Sequence, residues 1–193
     1  MPSGLDIYRK SLRDAVRGLW GGVLDRDQFY DAMIATIQRR LPQAWYDGSK
    51  DCGILPADLS PEERNALRQA MVNEMSFVLK FADDIMAGSK ARGGKLKPLL
   101  IRVEMWTNRY RDVVNRAKQM ACADQKLVWV LNPTKENCNS CIKLNGKVKR
   151  ASQWKRAGIR PQHPDLECGG WRCGCELIVT DERLSMGPLP RLP

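Results

Sequence analysis

The chain has 193 residues, 43% of them hydrophobic and 28% charged, and its 32 Lys and Arg outweigh 22 Asp and Glu for a net charge of +10. These proportions exclude disorder throughout and leave room for one domain, or two small ones, with a real hydrophobic core. No apolar run reaches the roughly 18 residues of a membrane span, and the opening Met-Pro-Ser-Gly-Leu-Asp lacks a basic stretch followed by an apolar one. Neither a transmembrane helix nor a secretory signal is expected, so the protein should remain in the cytoplasm unless it leaves inside a particle.

Helical periodicity dominates residues 1–124. Tyr8, Leu12, Ala15, Val16 and Leu19 form one stripe, closed by Gly21-Gly22. A second helix starts near Asp25, with Phe29, Met33, Ile37 and Leu41 on one face, and Pro42 is expected to kink or end it. Ser60-Pro61-Glu62-Glu63 carries the marks of a helix start: a capping serine, a proline at the first position and a glutamate that completes a capping box. Leu67, Met71, Met75, Val78, Ala82 and Ile85 continue as a buried stripe, with Gly88 as the cap. Residues 88–97 read as a basic, Gly-rich linker. Pro98 opens the next helix, whose Leu99, Val103, Trp106, Tyr110, Val113, Ala117 and Met120 recur at core spacing.

The pattern changes after Asp124. Residues 127–131 and 176–180 are short apolar runs suited to strands, and the segment between them holds most of the cysteines and many cations. The expected architecture is α+β: a helical body over 1–124, a small Cys-rich zinc-ribbon-like β module over 125–183, and a Pro-rich extended tail over 184–193, loose or docked on a partner.

Of seven cysteines, Cys52 and Cys122 stand alone, whereas Cys138, Cys141, Cys168, Cys173 and Cys175 crowd the last third. In a reducing cytosol such crowding points to metal before disulfides, and an odd count fits a disulfide framework poorly. Cys138-x-x-Cys141 can hold one tetrahedral ion from a single turn, with the second pair supplied from Cys168 onwards. The spacing favours zinc on Cys138, Cys141, Cys168 and Cys173, at about one ion per chain, with Cys175 and His163 as alternates. Reduced thiols packed as small hydrophobes, or disulfides formed later, are the competing readings.

Residues 125–193 hold 12 of the 32 cations but only 6 of the 22 anions. Lys135, Lys143, Lys147, Lys149, Arg150, Lys155, Arg156 and Arg160 surround Trp154 and face the single anion Glu136 between residues 135 and 160. Such a surface suits phosphates, packaged DNA included, or an acidic protein partner. A solvated face that aids solubility is an equal reading of the charge alone. For catalysis the sequence offers little. It has one histidine and no phosphate-binding glycine loop, dinucleotide turn or H-E-x-x-H helix, so no enzymatic activity is expected.

The segment C-N-S-C-I-K-L-N-G-K-V, followed by W-K-R-A-G-I-R-P-Q-H-P-D-L and C-G-G-W-R-C-G-C-E-L, resembles the head-morphogenesis proteins of tailed bacteriophages, including the Mu-like minor head proteins. These carry a similar C-x-x-C, a Leu-x-Gly-Lys-Val, a His-Pro and a final Cys-Arg-Cys-like element before a strand. Here Asp165–Trp171 separates the His-Pro from the last cysteines, and Gly174 stands where the family often has Arg. The resemblance implies a structural minor capsid protein of a phage or prophage. It would be made in the host cytoplasm, carried in the virion head, and associated with the portal or major capsid protein rather than with a membrane. The alternative is a zinc-containing nucleic-acid-binding regulator, although no helix-turn-helix is apparent.

Overall fold

In a computed structural model of the chain, which describes residues 2–122, 124–133, 136–190 and 192, the N-terminal periodicity becomes helix α1 (Gly4–Gly21). Ser3 accepts from the Asp6 backbone N–H at its start, and Gly22 closes it in the left-handed conformation. All five residues of the expected stripe are buried. Helix α2 (Arg26–Ser49) is set by a reciprocal Asp25–Gln28 cap. It runs through Pro42 rather than ending there. The turn beyond the proline is held by the fully buried Ala44 and Trp45, and such packing outweighs the loss of one helical hydrogen bond.

Helix α3 (Pro61–Met75) begins as the sequence predicts, with Glu63 and Ser60 exchanging hydrogen bonds. Ser60→Ala is therefore expected to cost about 1 kcal/mol, read as a lower urea midpoint at unchanged slope; an unmoved midpoint would show that solvent replaces the cap. The long stripe expected over 60–88 is divided. Helix α3 stops at Met75, Ser76 and Phe77 form a turn, and α4 (Val78–Ala87) restarts with Val78, Phe81, Ala82 and Ile85 buried. The Gly-rich linker is ordered into a 3-10 turn at Lys90–Arg92, where Gly94 N–H donates to Ser89 O. Helix α5 (Leu96–Ala121) follows, with Pro98 in its first turn.

Strand β1 (Lys126–Val130), helix α6 (Asn139–Leu144), strand β2 (Val148–Arg150), helix α7 (Ala151–Arg156) and strand β3 (Glu176–Val179) complete the chain. The sheet is antiparallel in the order β2-β1-β3, with Val128 opposite Val148 and Trp129 opposite Leu177. The chain is thus α+β: mainly helical, with a small three-stranded sheet and a cysteine cluster near its C-terminal end. Among the described residues no helix is long and apolar enough to cross a membrane.

The chain divides into two compact units, one of Met1–Gln43 with Asn65–Tyr110 and one of Ala44–Arg64 with Arg111–Pro193. This partition differs from a boundary at residue 124, because the last turns of α5 and residues 44–64 belong with the Cys-rich segment. The first unit has an aromatic core, in which the Phe81 ring lies 4.7 Å from that of Trp106 and 6.2 Å from that of Phe29. In the second, the rings of Trp129 and Trp154 stand 5.8 Å apart, and Trp154 Nε1–H donates to Leu127 O at 3.1 Å. Cys52 and Cys122 form a disulfide here, which corrects the expectation of isolated reduced thiols. Seventy residues separate them in the chain, too far for any sequence spacing to betray the pair.

Both outer edges of the small sheet are occupied from within this unit. On β3, Leu177 N–H donates to Asn115 Oδ1 at 2.8 Å, and Lys118 Nζ donates to Leu177 O at 2.8 Å. On β2, Ser185 N–H donates to Val148 O, and Val148 N–H to Ser185 Oγ, each at 2.9 Å. Capped edges of this kind resist pairing with other chains. The described part of the tail is therefore not loose: Leu189 and Leu192 pack against the same unit's core. Lys135, Arg191 and Pro193 lie outside the described residues.

Candidate metal centre

Cys138 is the N-terminal cap residue of α6, with extended backbone (φ −72°, ψ 161°), and its carbonyl accepts from Ile142 N–H at 3.0 Å. Cys141 lies within that first turn, so one turn of helix presents both thiols. The segment carrying Cys168 is clamped on the same turn. Glu167 accepts from Asn139 N–H at 2.7 Å and from Asn139 Nδ2 at 3.0 Å, while Glu167 N–H donates to Ser140 Oγ at 3.1 Å. The carboxylate thus satisfies orphan donors at a helix start.

The chain then reverses through Gly169 and Gly170, both at positive φ (61° and 75°). A Cβ on Gly170 would collide with the Gln162 and His163 carbonyls, so only glycine fits there. Gln162, itself at φ 63° and almost fully buried, holds the far side. Its Nε2 donates to Cys173 O at 3.2 Å and Cys175 O at 2.9 Å, and its Oε1 accepts from Asn115 Nδ2 at 2.8 Å. A polar relay therefore runs from α5 to the backbone of the last two cysteines.

These supports bring together all five cysteines outside the disulfide. Their sulfurs form two trios, Cys138–Cys141–Cys168 and Cys141–Cys173–Cys175, with every pair inside a trio within 4.8 Å. Cys141 belongs to both, and its Sγ lies 3.7 Å from that of Cys173. The second trio is buried throughout. The thiols line a cleft of about 530 Å³ that also carries Glu136, Asn137 and the exposed Trp171. Such clusters can hold a metal ion.

Mutual hydrogen bonding separates the thiols' acidities. Bonds from Cys141 and Cys173 bring Cys175 down to about 4, assisted by the Asn132 backbone and the Trp129 side chain. Bonds with Cys173 and Cys175 push Cys141 well up, and burial adds to this. Burial raises Cys168 to about 11. At Cys138 burial acts upward, but hydrogen bonds from Cys141 and Cys168 outweigh it and leave the thiol lowered.

The quartet favoured by spacing is not what the fold assembles. Cys173 joins Cys141 and Cys175 rather than completing a group with Cys138 and Cys168. His163 is in neither trio; its Nδ1 accepts from Asp165 N–H at 3.2 Å, and burial, then Arg160, lowers its pKa.

The basic residues are also dispersed in role. Lys149 is buried and donates to the tail carbonyls of Ser185 and Gly187. Lys155 pairs with Glu62 at 2.7 Å and Arg160 with Asp112 at 2.8 Å. Arg150 reaches Asp124 O at 2.6 Å. Lys143 and Arg156 are exposed, and Lys147 is half-buried. Of the expected phosphate-binding row, Lys149, Arg150, Lys155 and Arg160 are thus engaged in internal contacts. Asn115, Gln162 and Glu167 escaped the sequence reading; only the place of Glu167 beside Cys168 could have drawn attention. No family model, curated protein or solved structure matches the chain.

Proposed function

We propose that this chain is a minor head, or head-morphogenesis, protein of a tailed bacteriophage or prophage, that its role is structural rather than catalytic, and that its cysteine cluster binds zinc. One observation carries this reading: the residues of the head-protein resemblance assemble into a single closed substructure. Cys138-x-x-Cys141 opens α6, Leu144 is buried at its end, and Gly146 at φ 71° donates to Trp129 O at 2.9 Å, which turns the chain into β2. Gln162, the residue before the His-Pro, supplies the side chain that anchors Cys173 and Cys175. Motif residues brought together to organise a fold, with no histidine in either sulfur trio, suit a structural module better than an active site.

Zinc is supported by the chemistry of the donors. Five soft sulfurs favour a thiophilic cation. The 3.7 Å between the Cys141 and Cys173 sulfurs is close to the edge, about 3.8 Å, of a tetrahedron with Zn–S bonds of about 2.3 Å. When bound, zinc would cross-link α6 to the Cys168–Cys175 loop.

Attachment to the portal or the inner capsid belongs to the same reading. The helical unit exposes Phe77, Leu79, Ile101 and Met105 at 44–58%, and Ile101 and Met105 share one face of α5. A surface of that kind fits a protein partner, whereas the capped sheet edges do not invite strand addition. The test is mass spectrometry of purified particles together with deletion of the gene. The expected result is the protein in virions at low copy, and few infectious particles without it. Fully infectious virions that lack the protein would overturn the assignment and favour a zinc-containing nucleic-acid-binding regulator.

A further inference from the structure

The five sulfurs do not meet as one quartet with a spare. They form two trios hinged on Cys141. A single four-thiolate ion needs four sulfurs all separated by about 3.8 Å, and among the described residues the groups within 4.8 Å of one another are the two trios. We infer that the cleft holds two zinc ions bridged by the Cys141 thiolate, one bound by Cys138, Cys141 and Cys168 and the other by Cys141, Cys173 and Cys175. This rests on the reading that the cluster binds zinc, and it replaces the expectation of one ion.

Two further observations favour a ligand role for Cys175, the residue a one-ion site would leave idle. It is 1% exposed, as deep in the protein as Cys141. Asn137 Oδ1 lies 3.7 Å from Cys175 Sγ and offers a neutral oxygen beside the second trio. Charge points the same way. One dication on four thiolates leaves two negative charges in a largely buried cleft, and two dications on five thiolates leave one. Each ion keeps one position for a non-sulfur ligand, oxygen or solvent, in an otherwise tetrahedral shell.

Native mass spectrometry of the full-length chain, loaded with zinc under anaerobic conditions and with the Cys52–Cys122 disulfide intact, decides the matter. Two zinc ions per chain are expected. Cys175→Ser should retain one, held by the first trio, and Cys138→Ser should also retain one, held by the second. One zinc in the parent chain, unchanged in Cys175→Ser, would overturn the two-ion centre and leave zinc binding intact. Two zinc ions in Cys175→Ser would place the second elsewhere and also overturn it. No zinc in the parent chain would remove both this inference and the zinc reading beneath it.

Discussion

Chelation of the thiol-bound metal is expected to accelerate amide exchange in β1, α6, β2 and β3 by a hundredfold or more, an order-of-magnitude figure set by the strength of structural zinc sites. Without metal, the Cys168–Cys175 loop is held on α6 by the hydrogen bonds of Glu167 with Asn139 and Ser140 and by the Cys141–Cys173 thiol contact. The thiols then also lose the cation that offsets their charge. Structural zinc sites contribute apparent energies of about 10–16 kcal/mol in small peptides, comparable to the whole stability of a domain. The effect here is smaller, because Leu127, Trp129, Trp154 and Leu177 are fully buried and supply a core of their own. Amides of α1, whose buried residues belong to the other unit, serve as the internal reference. Exchange in β1 and α6 that is unchanged by chelator would show that the metal has no structural role.

The parts of the fold legible in the sequence are those set by neighbours along the chain. The α1 stripe, the Ser60–Glu63 capping box and strands β1 and β3 follow from local periodicity and capping. The crowding of five cysteines was equally visible, because thiophilic chemistry needs only residue type and rough proximity. What the sequence concealed depends on partners far away in the chain. Helix α2 passes Pro42 because Trp45 is buried by tertiary packing. The Cys52–Cys122 pair spans seventy residues. The division of the sulfurs into trios is set by a loop whose geometry rests on Gly170 and Gln162. The cations of 143–160 looked like one basic face because charge carries no direction; Lys149 and Arg160 turn inward to carbonyls and a carboxylate that the fold supplies, and Lys155 pairs with Glu62 at the surface.

Loss of the relay from α5 should weaken fold and metal site together. Asn115 is 1% exposed, accepts from Leu177 N–H, and donates to Gln162 Oε1 at 2.8 Å and to Arg111 O at 3.0 Å. In Asn115→Leu, similar in volume, the Leu177 amide on β3 and the Gln162 carbonyl oxygen are both left buried without partners. Each such orphan costs about 1–3 kcal/mol, so a destabilisation of about 2–6 kcal/mol is expected, read from the denaturation midpoint of the zinc-loaded chain. Gln162 is then free to swing from the carbonyls of Cys173 and Cys175, which it holds at 3.2 and 2.9 Å. Groups that orient ligands in this indirect way typically account for about 10–100-fold in metal affinity, and a loss of that size should appear in competition with a chromophoric chelator. Asn115→Asp keeps the acceptor for Leu177 N–H and loses the donor to Gln162, so it should spare β3 more than it spares metal binding. If Asn115→Leu matches the parent chain in both midpoint and affinity, the relay is incidental and the cysteine loop is positioned by Glu167 and the metal alone.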